Sequence, residues 1–233
     1  MTVIHRLEET TSTNDEAKRG AREGAKHGTV WVAESQTAGR GRQGRVWTSP
    51  RGENLLFSVL LRVQCPPPRV PLVAIVAGLA VRDAVARSID DVKVKWPNDV
   101  LVGQKKIAGI LVESSIAGSK VDHVIVGIGI NVHTRQFPDD LAPIATSVSL
   151  EGGRTDRDEL LAHVLEGLDH DVEHVLHRGL GLVQARLERH DHLRGKTLAD
   201  GSIAEGIDDE GRLRVRRPDG TLARLSSGEV HLA

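Results

Sequence analysis

The chain has no tyrosine, two phenylalanines and three tryptophans among its 233 residues. A core without aromatics must be built from Val, Leu, Ile and Ala, and each Trp becomes a position that needs a reason. Cysteine is nearly absent too. The single Cys65 excludes an intramolecular disulfide and fits a reducing, cytoplasmic compartment. Neither sign of charge dominates: the net charge of −1 gives no global field for DNA or an acidic membrane, so an anion site has to be local. Long apolar runs are missing as well. The most apolar stretch, 70–81, is too short to span a bilayer and contains Pro71 and Gly78, so it reads as a buried helix. The polar start, MTVIHRLEETT, carries no signal-peptide pattern.

Glycine and arginine, in contrast, are concentrated. "AGRGRQGRVW" (38–47) sets three glycines and three arginines into seven positions, Gly39 to Arg45. Ordering such a loop costs roughly 1–2 kcal/mol per residue, most at glycine, so a resting loop should be mobile. A multiply charged anion can order it by recruiting the guanidinium groups as bidentate donors. The chemistry is that of a lid over a phosphate-bearing ligand, the plainer alternative being an exposed basic hairpin.

Around the loop the pattern is mixed. Ser12-x-x-Asp15 and Thr13-x-x-Glu16 both fit a capping box opening a helix that runs to Gly24. Residues 29–36 and 54–63 read as strands, 72–89 as a helix, and "VKVKW" as a half-buried strand ended by Pro97. "KIAGILVES" and "DHVIVGIGINV" read as neighbouring strands with a turn near Gly118. From Asp158 to Leu176 the apolar period is helical. Beyond about residue 190 come short β segments split by Gly and Asp-Gly turns, with "RPDGT" as a hairpin, the pattern of a small barrel.

Three familiar patterns fail on context. Gly39, Gly41 and Gly44 fit G-x-G-x-x-G, but the loop leads into a strand where dinucleotide binding needs a helix. "RGKT" (194–197) would need glycine at His190 to be a phosphate loop. "HDVEH" (170–174) matches an inverted zinc-protease pattern. Its histidines, with His163 and His177, lie opposite the apolar stripe, as on a solvated helix face.

Taken in order, "STN" (12–14), "QTAGRGRQGRVW" (36–47), "KWPND" (95–99), "KKIAGILVE" (105–113), "GIGINV" (127–132) and "SGEV" (227–230) resemble the biotin protein ligase family, over almost the whole chain. The resemblance implies an α+β catalytic domain, residues 1–188, with a mixed sheet and helices on one side as in class II aminoacyl-tRNA synthetases. A small C-terminal SH3-like β-barrel, 189–233, would follow. It implies ATP-dependent activation of biotin as biotinyl-5′-AMP, with Mg²⁺, and transfer to a lysine of a biotin carboxyl carrier protein domain. A lipoate-type acyl ligase and a non-catalytic biotin sensor are the alternatives. A homodimer is allowed, and metal ligands are left unassigned. "STN" starts at residue 12, so no N-terminal DNA-binding domain and no DNA partner are expected, nor a membrane.

Residue by residue, the resemblance implies that Ser12, Thr13, Asn14 and Gln36 bind the ureido ring of biotin. Gly39, Arg40 and Gly41 would close over the ligand. Arg42 and Lys106 would contact carboxylate and α-phosphate as the catalytic pair. Arg45 and Lys95 would reach the nucleotide, and Trp47 would stack on adenine. Asn98 and Asp99 would sit near Mg²⁺ or the acceptor lysine, which Asp99 would orient or deprotonate. Gly109, Ile110 and Leu111 would line the biotin tail, and Asn131 would help position the nucleotide. The stretch 143–150 offers adenine no aromatic.

Overall fold

The computed structural model describes residues 2–118 and 120–233. Seven strands form one sheet in the order β1-β2-β3-β7-β6-β5-β4. They are β1 (Ile4–Leu7), β2 (Val30–Ala33), β3 (Leu55–Leu61), β4 (Val92–Lys95), β5 (Asp99–Val102), β6 (Lys105–Ala117) and β7 (Lys120–Ile130). Only β1 and β2 pair in parallel, with α1 (Thr13–Arg22) between them in sequence; the remaining pairings are antiparallel.

Every residue of β3 is buried, which requires cover on both faces. On one face Leu55, Phe57, Val59 and Leu61 join the main core with α2 (Pro71–Val85) and α3 (Arg157–Arg178). Helix α2 is apolar on nearly all sides because it lies between sheet and α3. Gly78 sits against Val94 and Ile110 of the sheet, and Ala80 against Gly167 of α3. On the other face Leu60, Trp31 and Ile125 pack on Ala17 and Ala21 of α1. The expectation of helices on one side is therefore corrected: α1 covers the opposite face. It approaches closely because its packing side is small, Gly20 lying directly on the Trp31 ring.

The expected capping box is also absent. Ser12 is the N-cap of α1 but makes no side-chain cap bond. The two acids are engaged elsewhere: Glu16 accepts from Thr10 Oγ1 at 2.8 Å, and Asp15 binds Arg40.

After α4 (Gln184–His190) the chain runs beside β4, where His192 N–H donates to the Val94 carbonyl at 2.8 Å. A three-stranded antiparallel sheet follows: β8 (Ile203–Ile207), β9 (Leu213–Arg216) and β10 (Leu222–Leu225). The "RPDGT" turn joins β9 to β10 as read, with Gly220 at φ 85° and the Asp219 carboxylate accepting from Thr221 N–H. Ala204, Ile207, Leu213, Val215 and Val230 belong to the same core as α2 and α3, so the C-terminal sheet is not separately cored. Its 208–212 turn is pinned by Trp96 Nε1–H donating to the Gly211 carbonyl at 2.9 Å. The final residues return along 197–199, with Ala199 N–H donating to the His231 carbonyl and Ala233 N–H to that of Thr197. None of the described helices is long and apolar enough to cross a membrane.

His192 sits at the junction, 2% exposed, with the Lys196 ammonium 3.4 Å from Nε2. Burial, reinforced by the charges of Lys196, Lys95 and Lys93, pushes its pKa down to about 4 from 6.5. The fold therefore holds a neutral imidazole that the unfolded chain protonates below about 6.5. This contribution to stability is complete above that pH and is lost as pH falls toward 4. Thermal unfolding should thus show a melting temperature that drops between pH 6.5 and 4, with a shallower drop in His192→Gln.

Candidate active site

The site lies on the α1 face of the sheet. Antiparallel register places Gly109 opposite Gly129 and Leu111 opposite Gly127. Alternation sends these four toward α1 and their neighbours Ala108, Ile110, Val126 and Ile128 into the main core. The glycines leave a trough that the surrounding side chains use. A Cβ on Gly127 would stand 2.1 Å from Asn14 Oδ1, and one on Gly129 would stand 2.6 Å from the Trp47 ring.

The Gly/Arg segment folds down over this trough as a small hairpin. Trp47 N–H donates to the Gly39 carbonyl at 2.9 Å and Gly41 N–H to that of Arg45 at 2.8 Å. Its tip is a single turn, Arg42–Gly44, with Gln43 at φ 56° and Gly44 at φ 76°. The chain then runs into β3, a strand, which disposes of the dinucleotide pattern.

Each flap arginine has a different partner. Arg40 makes two bonds to the Asp15 carboxylate, at 2.6 and 2.7 Å. Arg45 pairs with Glu229 of the C-terminal unit. Arg42 donates to the neutral Asn98 Oδ1 at 3.1 Å. Accordingly Arg40 holds the Asp15 carboxyl below its ordinary range, and Arg45 does the same for Glu229. On the opposite wall the Lys106 ammonium lies 2.6 Å from Asp99 Oδ1 and 5.6 Å from the centre of the Trp47 ring. Lys95 lines the same wall, and neither it nor Arg42 forms an ion pair among the described residues. Five cationic side chains and two carboxylates thus border the cleft of a chain whose overall charge is −1.

The other end is polar and uncharged. Thr13 donates to Gln36 Oε1 through its backbone N–H at 2.7 Å and its hydroxyl at 3.1 Å. Asn14 accepts from Ser58 Oγ at 2.6 Å and donates to Glu113 Oε2 at 2.7 Å. The space left under the flap is about 180 Å³.

The structure brings together Ser12, Thr13, Asn14, Gln36, Arg40, Gly41, Arg42, Arg45, Trp47, Lys95, Asn98, Asp99, Lys106, Gly109, Ile110 and Leu111 around one cleft. Gly39 stands at the flap's base, where a side chain would strike the Trp47 carbonyl. Ile110 departs from expectation. It borders the cleft, but its side chain is buried among the α2 core, as its place between two trough residues requires. Asn131 is outside the lining. Its side chain donates to the Thr146 carbonyl at 3.0 Å, holding the 144–146 segment whose backbone brackets Lys106. Sequence reasoning assigned no role to Glu113, Ser58, Glu229 or His231. Glu113 was open to detection, because period-two alternation puts it on the face of Gly109 and Leu111. On α3, His170 and His177 are exposed, and the described residues contain no cluster of three metal-ligating side chains.

Fold and site together define an α+β protein with a narrow cleft, polar and uncharged at one end and cationic at the other, under a basic flap. A family model described as "Biotin/lipoate A/B protein ligase family" matches residues 5–131, and one described as "Biotin protein ligase C terminal domain" matches residues 194–232. The biotin--[acetyl-CoA-carboxylase] ligase of Paracoccus denitrificans is 36% identical over 229 residues, 92% of this chain and 94% of that one. The bifunctional ligase/repressor BirA of Bacillus subtilis is 35% identical over 234 residues, 95% of this chain and 71% of that one. The biotin protein ligase of Aquifex aeolicus, solved in complex with biotin and ATP, superposes with a TM-score of 0.82 at 30% identity, covering 99% of this chain and 98% of the other. The chain belongs to the biotin/lipoate A/B protein ligase family.

Because Asn14 occupies the space above Gly127, Gly127→Ala should displace that side chain from Ser58 and Glu113. A cost of about 1–3 kcal/mol, read by urea denaturation, is the expected outcome of such overpacking.

Proposed function

We propose that the protein is an ATP-dependent ligase that activates biotin as biotinyl-5′-AMP and transfers the biotinyl group to a lysine of a carboxylase's biotin carrier domain. The observation that carries this reading is a cleft joining a neutral hydrogen-bonding pocket at α1 to a cationic end where Arg42 and Lys95 have no carboxylate partner among the described residues.

Biotin's ureido ring would lie against Ser12, Thr13, Asn14 and Gln36. Gln36 Oε1 is already engaged by Thr13, which leaves the amide NH₂ to donate. The tail would run over Gly109, Gly129 and Leu111 beneath Trp47. The carboxylate would then reach the cationic end. There the repulsion between carboxylate and α-phosphate is the main obstacle, and Arg42, Lys95 and Lys106 offset it. A carboxylate oxygen attacks the α-phosphorus, the bond to the pyrophosphate oxygen breaks, and pyrophosphate leaves. In the second step the carrier amine attacks the acyl carbon and AMP leaves.

Lys106 changes partners in this scheme. In the structure it pairs with Asp99; a phosphate would draw it away. Asp99 is then free to orient the incoming amine and accept its proton. The carboxylates in the cleft, Asp99 and Glu229, are both paired, so Mg²⁺ would arrive with the nucleotide rather than in a protein cage. Asn131 acts indirectly by fixing the backbone around Lys106. The C-terminal unit, read as an SH3-like barrel beside a class II synthetase-like core, sets Glu229, in the segment after β10, against the flap.

At about 180 Å³ the cleft is tighter than the ~300–1,000 Å³ of pockets that take whole ligands, so the flap must lift to admit substrate and close again to keep water from the anhydride.

The direct test mixes protein, Mg-ATP, biotin and a carrier domain, then weighs the carrier. A mass gain of one biotinyl group is expected, with none when lipoate replaces biotin; an unmodified carrier overturns the reading. Lys106→Ala should lower biotin-dependent pyrophosphate exchange by about 100-fold or more while changing biotin affinity far less, as expected for charge that acts mainly in the transition state. Arg42→Ala should release the adenylate faster, which bystander-lysine labelling would register.

A further inference from the structure

One ion pair at the site has no part in either chemical step. Arg40 turns away from the cationic end and clasps Asp15 on the first turn of α1, its two terminal nitrogens each donating to one carboxylate oxygen. That turn also carries Thr13 and Asn14, the wall of the polar pocket. Behind the pair stands Glu113 of β6. One of its oxygens accepts from Lys18 at 2.6 Å and the other from Asn14 at 2.7 Å, the latter lying 3.8 Å from Arg40. Two cations and two carboxylates therefore lock flap, helix and trough strand into one neutral network. Its geometry is specific: a planar fork on a carboxylate defines both distance and orientation, which a lysine at position 40 would not.

We infer that Asp15 is a positioning residue, the latch that sets how long the flap stays closed, with Glu113 aligning the helix turn that carries it. Because Asn14 and Arg40 share Glu113, flap closure and the shape of the polar pocket are coupled. Retention of an activated ligand rests on the proposed reaction; the latch itself does not. The pair is partly exposed, with 38% and 40% of the two side chains accessible, so its effect is modest and sensitive to salt.

The test starts with the ligand-free full chain. Hydrogen exchange should report the amides of Gly41 and Trp47, which close the hairpin. Asp15→Asn should speed their exchange about two- to five-fold. Arg40→Gln, which approaches the pair from the flap, should do the same, and the double variant should go no further. The swapped pair, Asp15→Arg with Arg40→Asp, should recover part of the protection, and about 1 M salt should narrow the gap between wild type and Asp15→Asn. With biotin and Mg-ATP present, escape of the adenylate should rise by a similar factor while the melting temperature stays within a degree or two. Unchanged exchange in both single variants, or fully additive effects in the double, overturns the latch. Altered flap exchange in a protein that forms no adenylate supports the latch and sinks the reaction.

Discussion

A site made to gather anions must survive without them. Five cationic side chains around one narrow trough repel each other unless something offsets their charge. The structure meets this by giving most of the cations an internal stand-in for the ligand. Asp15 holds Arg40, Glu229 holds Arg45 and Asp99 holds Lys106. Each stand-in comes from a different element, α1, the C-terminal segment and the start of β5, and the first two of these contacts also fasten the flap to its surroundings. Arg42 rests on a neutral amide instead.

This arrangement depends on the sheet beneath it. The flap can lie close because three of the four trough positions beneath it, Gly109, Gly127 and Gly129 beside Leu111, carry no side chain. The opposite face of the same stretch, Ala108, Ile110, Val124, Val126, Ile128 and Ile130, is buried and aliphatic. One pair of strands thus supplies a rigid core on one side and a ligand-width channel on the other, by period-two alternation alone. Rigidity matters here because groups that must meet a phosphate and an amine cannot drift by an ångström without loss of rate.

Much of this was legible in the chain. Strand and helix periods located β3, α2, β6, β7 and α3, and the Gly/Arg density marked the flap. Two kinds of information were not legible. The first is which face of the sheet a helix covers. The small side of α1, built on Ala17, Gly20 and Ala21, has little hydrophobic signal, and its position follows only from a long-range fit to Trp31 and Leu60. The second is competition for polar side chains. Asp15 and Glu16 satisfy a local capping rule, yet Arg40 and Thr10 engage them instead. Sequence spacing cannot register a partner 25 residues away. The same limit hid Glu229, whose importance comes from the last segment folding back beside 197–199.

The scarcity of aromatics sharpens the point, because the three tryptophans sit where separate parts must be held in register. Trp31 meets α1 at Gly20 and stacks on His5 at 5.3 Å, joining helix, β2 and β1. Trp47 joins flap to trough, its ring over Gly129 and Gly109. Trp96 lines the cleft, yet its indole N–H holds the 208–212 turn, which itself wedges Gly211 against Leu72 and Ile75 of α2. The C-terminal part of the chain is therefore tied to the cleft twice, its 208–212 turn through the wall at Trp96 and its last segment through the flap at Glu229. The C-terminal unit thus holds both a wall of the cleft and the flap above it, and it shares its core with α2 and α3.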